Sequence, residues 1–305
     1  MKHFPVIVAV LMLLAGCGQS YEETKRITRQ QQREALRRDS AAFKVALMPT
    51  LDGLPLWVAQ QYHLFDNVGA EVRLKRYSSQ MDCDTALLRG RVEGTVTDLV
   101  RAAQMEKQMS IQLAAATGAY WQLFVNHNAR IRQLKQLDDK MVAMTRFSVT
   151  DQLCDVVTDT AGIDKERLYR VQINDVGIRL SMVLNNEIDA LFLTEPQATI
   201  ARQHGHTLLL DSRRMDYRPG ALVFNGEEMK RPKRKQQRER FLKAYNQACD
   251  SIDKYGLRHF SRLIAQQCEI PVEVADSLPD NIVFPHAGRP RQQDIDKARK
   301  WLDGK

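Results

Sequence analysis

The stretch Leu184-Asn185-Asn186-Glu187-Ile188-Asp189-Ala190-Leu191-Phe192-Leu193-Thr194-Glu195-Pro196 passes from a helix end through a polar turn into a short apolar run, then stops at a polar strand end closed by proline. A continuous apolar run bounded by turn residues is the signature of a strand buried on both faces, as in the parallel sheet of an α/β protein. Its neighbours continue the pattern. Upstream, Tyr169-Arg170-Val171-Gln172-Ile173 is a strand and residues 179–185 are helical. Before them, Met141-Val142-Ala143-Met144-Thr145 is a strand, and Ser148-Val149-Thr150-Asp151 opens a helix that runs through Cys154, Val157 and Ala161.

The same alternation occurs earlier in the chain. Phe43-Lys44-Val45-Ala46-Leu47-Met48-Pro49 is a strand, and Leu54-Pro55-Leu56-Trp57-Val58-Ala59 is a helix with Pro55 in its first turn, where a missing N–H costs nothing. Residues 70–77 alternate as a half-buried strand, 81–91 are helical, and Gly94-Thr95-Val96-Thr97-Asp98-Leu99-Val100 reads as a strand running into a loop. Two βαβαβ blocks in series predict two α/β lobes with mixed, mostly parallel sheets flanked by helices. After them, Phe241, Ala244, Tyr245, Ala248, Ile252 and Tyr255 keep helical spacing, and a second helix covers 259–267.

The ends of the chain carry a different message. Lys2 and His3 precede an apolar run of roughly ten residues, too short for a helix to cross a bilayer core of about 30 Å but suited to a secretory signal. Leu14-Ala15-Gly16-Cys17 resembles the bacterial lipobox, so residues 1–16 are expected to be a signal peptide and Cys17 a lipidated N-terminus. Residues 17–42 are polar and charged and read as a tether. In an exported chain Cys249 and Cys268, in consecutive helical segments, are the best local candidates for a disulfide. Free buried thiols are the equal alternative, and Cys83 and Cys154 complete a set with three possible connectivities.

Taken in order, Val45-Ala46-Leu47-Met48-Pro49, Leu87-Leu88-Arg89-Gly90-Arg91-Val92-Glu93-Gly94-Thr95-Val96-Thr97-Asp98, the 141–151 segment, the 184–196 segment and Phe241-Leu242-Lys243-Ala244-Tyr245-Asn246 resemble the type II periplasmic binding proteins of ABC importers, specifically the sulfonate, taurine, nitrate and thiamine-precursor group. The resemblance covers roughly residues 43–285. It implies lobe 1 from residues 43–122 plus 222–305, lobe 2 from 123–221, and a ligand cleft between them that closes on its occupant. It further implies a lipid-anchored solute-binding protein facing the periplasm or exterior, with no cofactor, working as a monomer with an ABC permease and ATPase. Phe147 stands where such proteins often carry glycine, and the iron motif and histidine nucleophile of yeast pyrimidine-synthesising relatives are not visible. An enzyme of the same fold, as in the menaquinone pathway, and an exported sensory or scaffold protein are the competing readings.

Ligands of open α/β sheets sit beyond the carboxyl ends of the strands. That rule selects Thr50, Asp52 and Gly53 after the first strand, Thr97 and Asp98 after the third, and Arg146, Ser148 and Thr150 at the start of the second block. Tyr120 and Trp121 fall at the first crossover, and Glu195 at the end of the apolar strand. Ser148, Thr150 and Asp98 are equally plausible as helix caps. The acidic and aromatic members lean toward a flat, nitrogen-containing ligand. His204-Gly205-His206 lacks a third ligand at metal spacing and reads as a surface turn. No phosphate loop, nucleophile elbow or zinc spacing is present.

The chain has 305 residues and a formal net charge of +8. About +6 comes from Lys230-Arg231-Pro232-Lys233-Arg234-Lys235-Gln236-Gln237-Arg238-Glu239-Arg240, which leaves the rest of the folded body near neutral. Without interleaved aromatics the run is a poor match for nucleic acid. A solvated loop and helix start is the favoured reading, and contact with anionic head groups is the other.

Overall fold

The structure, a computed structural model, describes residues 21–305. The signal segment and Cys17 lie outside the described residues. Residues Tyr21–Ala41 form a single helix, α1. The segment read as a tether is helical here: Glu, Lys, Arg, Gln and Ala lose little side-chain freedom in a helix, so it folds this way although it has no sustained apolar face. No helix among the described residues is long and apolar enough to cross a membrane.

Residues 43–305 form a compact unit of their own. It contains two five-stranded sheets of the same design. The first uses β1 (Phe43–Leu47), β2 (Val72–Arg76), β3 (Gly94–Asp98), β4 (Ile111–Ala116) and β10 (Gly220–Asn225), in the order β2-β1-β3-β10-β4. The second uses β5 (Gln122–Val125), β6 (Lys140–Met144), β7 (Leu168–Gln172), β8 (Ala190–Leu193) and β9 (Thr207–Asp211), in the order β7-β6-β8-β5-β9. In each, three strands run parallel, and the fourth lies antiparallel between the third and the fifth. Four of the five strands in each sheet therefore share one direction and only the inserted strand is reversed, which gives the mixed, mostly parallel sheets that the sequence suggested. The chain enters the second sheet at β5 and returns to the first at β10. Trp121 precedes β5, and Gln122-Leu123-Phe124 is part of that strand.

The helices follow from their caps. α2 (Leu54–Gln61) carries proline in its first turn. α4 (Gln80–Leu88), following the one-turn α3 (Leu64–Asn67), is capped by Ser79, whose hydroxyl accepts the Asp82 N–H. α5 (Leu99–Glu106) begins within the stretch read as a strand running into a loop, with Asp98 in the capping role weighed beside a ligand role. The Asp98 carboxylate takes the Val100 and Arg101 N–H groups and turns the chain into a helix at Leu99. α6 (Val149–Ala161) starts at Ser148 and ends on Gly162 at φ +64°, and α7 (Val176–Leu184) is capped by Asp175. α8 (Gln197–Gln203) follows the 184–196 stretch. The remaining helices are α9 (Pro232–Tyr255), α10 (Ser261–Cys268), α11 (Val272–Asp276) and α12 (Gln292–Asp303).

Apolar clusters cover both faces of each sheet. The largest joins the first sheet to α2 and α9 through an aromatic group in which Phe241 lies 5.3–5.7 Å from Phe43, Phe65 and Phe224. Cys249 and Cys268 belong to this cluster as free thiols, and Cys83 and Cys154 are likewise free and buried. The disulfide expected between Cys249 and Cys268 is therefore absent. Each sulfur packs as a small hydrophobe, and the Cys249 thiol points at the Pro285 carbonyl 3.6 Å away.

Because Phe241 contacts three rings and is fully buried, Phe241→Ala should destabilise the fold by about 3–5 kcal/mol. A urea denaturation midpoint that stays at the wild-type value would contradict this packing.

Candidate functional site

The carboxyl ends of the parallel strands and the first turns of the following helices face one another between the two sheets. Ser79 and Asp175, caps of α4 and α7, form an isolated antiparallel bridge. Asp98 makes the central contact. Its Oδ1 accepts the Val100 and Arg101 N–H groups at 2.9 Å, and also the Val149 N–H of α6 at 3.2 Å. One carboxylate oxygen thus serves the positive ends of two helices from opposite sheets. Burial pushes the Asp98 pKa up to about 7 despite these bonds.

Beside this contact lies a cavity of about 40 Å³, room for a few water-sized groups. Of the residues singled out from sequence, Asp98, Trp121, Ser148 and Thr150 line it. Ser148 and Thr150 also complete the α6 cap. The Ser148 hydroxyl accepts the Thr150 N–H and donates to the Thr145 carbonyl, while Thr150 Oγ1 accepts the Thr145 N–H. The first N–H groups of α6 are consequently occupied by Asp98 and Ser148. The Ser148 and Thr150 hydroxyls are engaged with each other and with Thr145, so the other cavity-facing side chains remain to meet a ligand.

The other sequence candidates lie elsewhere. Thr50 donates to Asp52 at 2.7 Å, and burial raises the Asp52 pKa. At Gly53 a Cβ would lie 2.8 Å from Leu47 and 3.0 Å from Trp57, so that glycine serves packing. Thr97 donates to Asp84, which is paired with Arg101 at 2.6 Å. The Arg146 side chain is exposed, and only its carbonyl reaches across, accepting from Arg101 at 3.4 Å. Glu195 is 1% exposed and accepts bonds from Tyr120 Oη, Gln122, Thr199 and Arg202, while its backbone carbonyl accepts the Leu51 N–H. The Tyr120 ring carries Arg213 at 4.0 Å. Glu195 and Tyr120 therefore anchor the crossover. His206 is buried and accepts the His127 N–H, an inward role the sequence did not suggest, while Gly205 makes the turn at φ +77°.

Sequence reasoning missed Met48, Gln80, Thr145, Asn174, Val176, Arg179, Phe192 and Thr194 on the cavity wall. Arg179 matters most. It is 5% exposed and takes part in no ion pair among the described residues. Its guanidinium donates to the Phe192 and Ile173 carbonyls and to Thr145 Oγ1. Nη1 makes one of these bonds, which leaves its second hydrogen for another acceptor. Burial lowers its pKa to about 10, so it stays charged. The signal was present in the sequence: Val176, Arg179, Leu180 and Val183 form one buried helix face, an apolar stripe interrupted by a single arginine.

Phe147 occupies the left-handed region at φ +52°, a conformation that glycine adopts freely. Its N–H is held by Asp151, and its half-exposed ring is not part of the cavity wall. The departure from glycine therefore keeps the backbone turn without filling the cavity. At the rim, the C-terminal helix joins the two sheets. α12 packs on α5, while Trp301 Nε1 and Lys305 Nζ reach Asp155 of α6 at 2.6 and 2.7 Å.

Residues 51–254 match the sequence model of the NMT1/THI5-like family. No curated protein matches the chain. Solved structures with the same fold include the alkanesulfonate-binding protein SsuA from Xanthomonas axonopodis pv. citri bound to MOPS, at TM-score 0.71 and 14% identity, covering 87% of this chain and 91% of that one. The periplasmic nitrate-binding protein NrtA from Synechocystis PCC 6803 is similar at TM-score 0.67 and 13% identity over 83% and 74% of the two chains. PhnD1 from Prochlorococcus marinus in complex with methylphosphonate is similar at TM-score 0.57 and 13% identity over 86% and 98%.

Asp98 has a folded-state pKa above the ordinary 3.8. Its contribution to stability is fully present below about pH 4 and is lost as pH rises through about 7. Asn keeps the accepting Oδ1, so Asp98→Asn should leave the helix caps intact. The fall in melting temperature between pH 5 and pH 8 should shrink in this variant, and equal falls in the two proteins would refute the assignment.

Proposed function

The chain belongs to the NMT1/THI5-like family, and from that premise we propose that it is an extracytoplasmic solute-binding protein that captures a small organic anion for an ABC importer. The observation that carries this reading is Arg179, a buried guanidinium without a carboxylate partner on the wall of the cavity between the two sheets. A buried charge of this kind is costly until an anion accepts its remaining donor. Thr145, Ser148, Thr150 and Thr194 surround it with hydroxyls. Asp98 and Arg179 are the carboxylate and the cation of the wall. With the Asp98 pKa pushed up to about 7, a large share of that carboxyl is neutral near neutral pH and the wall carries a net positive charge.

The nitrate-binding neighbour and the one in complex with methylphosphonate name small anions, and the one bound to MOPS names a larger sulfonate. The sequence had leaned toward a flat, nitrogen-containing ligand. Of its three acidic candidates only Asp98 faces the cavity, while Asp52 and Glu195 are engaged elsewhere, and this favours the anion. Residues 43–122 with 222–305 would form one lobe and residues 123–221 the other. Ligand binding would shift the population to the closed state through contacts from both lobes. The permease and ATPase would read that state.

Thermal-shift and calorimetric titration with small sulfonates, phosphonates and carboxylates test the proposal. At a concentration about 100 times Kd the cognate anion should add about 2.7 kcal/mol of stability. Arg179→Gln should weaken binding about tenfold or more with the circular dichroism spectrum intact, whereas Arg146→Gln should not. Binding should weaken as pH rises through about 7, and less so in Asp98→Asn. A response to pyrimidines with none to any anion would sink this reading.

The proposal includes lipid anchorage at Cys17, supported by the Leu14-Ala15-Gly16-Cys17 box and by the apolar run before it. Cys17→Ser should move the protein from the membrane fraction to the soluble one and abolish incorporation of labelled palmitate. Unchanged fractionation would remove lipidation from the account.

A further inference from the structure

The basic run 230–240 is not used by the cleft, and the structure shows where part of it goes. A second cavity, about 430 Å³, lies along the edge strand β4, at the start of α9 and beside α12. Lys230, Arg238, Arg289 and Arg299 line it together with Ser110 and Gln112. Four cations are thus set against one lining carboxylate, Glu106, which Arg299 already holds in a bidentate pair at 2.9 and 3.0 Å.

Arg238 is the key group. It is only 17% exposed, its Nη1 donates to Gln112 at 2.7 Å, and its nearest carboxylate, Glu239, stands 3.9 Å away. Its Nε is buried and has no acceptor. Such an orphaned donor costs free energy unless a ligand or water takes it up. Arg289 is exposed, and its guanidinium has only a weak bond to Gln292 at 3.4 Å. The field adds to this. The first turn of α9 contains no acidic residue, so Lys233 and Lys235 add positive charge to the positive end of a 24-residue helix, where Arg234 is already paired with Glu93 at 2.8 Å. This arrangement is unfavourable in isolation and is relieved by a bound anion.

We propose that this cavity is an anion site for a phosphate group, separate from the cleft. Guanidinium forks match phosphate oxygens bidentately, so several converging arginines suit a phosphate group. The phosphate belongs either to a membrane lipid head group or to a soluble phosphate compound.

The test uses the purified full chain in two arms. In one, inorganic phosphate is titrated and binding is read by calorimetry. In the other, the protein is sedimented with phosphatidylcholine vesicles containing about 30% phosphatidylglycerol. Saturable phosphate binding without vesicle binding indicates a soluble ligand, and phosphatidylglycerol-dependent sedimentation indicates a head group. In either arm Arg238→Gln with Arg289→Gln should reduce binding about tenfold. The equal charge change Lys254→Gln with Arg258→Gln, outside this cavity, should have little effect. Arg289→Gln alone, on an exposed side chain, gives the same direction should the double variant unfold. Absence of binding in both arms, or equal loss in the two double variants, would overturn the proposal.

Discussion

The carboxylate of Asp98 holds together what the two sheets present to each other. A parallel strand followed by a helix places that helix's free N–H groups at the strand's carboxyl end. When two such sheets face one another, several positive helix ends are brought together and repel. Here a single oxygen of Asp98 satisfies α5 from within and α6 from across the gap. The backbone bridge between Ser79 and Asp175 brings the starts of α4 and α7 together as well, with each cap serving its own helix. The cavity is therefore small because the residues around it are engaged with each other, and its cation, Arg179, is the group that these bonds leave electrically uncompensated.

Much of this was legible in the sequence, for identifiable reasons. The apolar runs at 43–47 and 190–193 are buried strands, and periodicity finds such runs directly. Capping residues were legible as well, although Asp98 stood equally for a ligand and a cap until the Val149 contact showed that it joins two helices. Direction was harder. Nothing in the residues of β5 or β10 states whether the neighbouring strands run parallel to them. Arg179 escaped because exposed arginine is the usual outcome on a helix, and its burial depends on the Thr145, Ile173 and Phe192 acceptors, which sequence spacing does not bring together.

The cysteines and the N-terminal helix show the same limit from the other side. Two thiols in successive helices invite a bridge, yet each is spent on core packing. Residues 21–41 look like a linker by composition, yet their residue types are strong helix formers. In both cases the composition left more than one outcome open, and the geometry decides between them. Charge behaved in a similar way. The basic run looked like one solvated patch, but its members divide. Arg234 pairs with Glu93, Lys230 and Arg231 pair with Glu227 and Glu228, and Arg238 turns inward against β4.

The position of β10 has a consequence for how the protein is made. β4 pairs with β10, and β10 separates it from β3. A ribosome releases β1 to β4 first and β10 only after the whole second sheet has been synthesised. Until then β3 is an unfinished edge and β4 has no partner, because the strand that joins them is missing. The second sheet, encoded as one uninterrupted stretch from β5 to β9, has all its strands before the first can close. The molecule is thus assembled from the inside out, with the later half of its sequence completing the earlier one, and the nascent chain carries open strand edges for most of its synthesis.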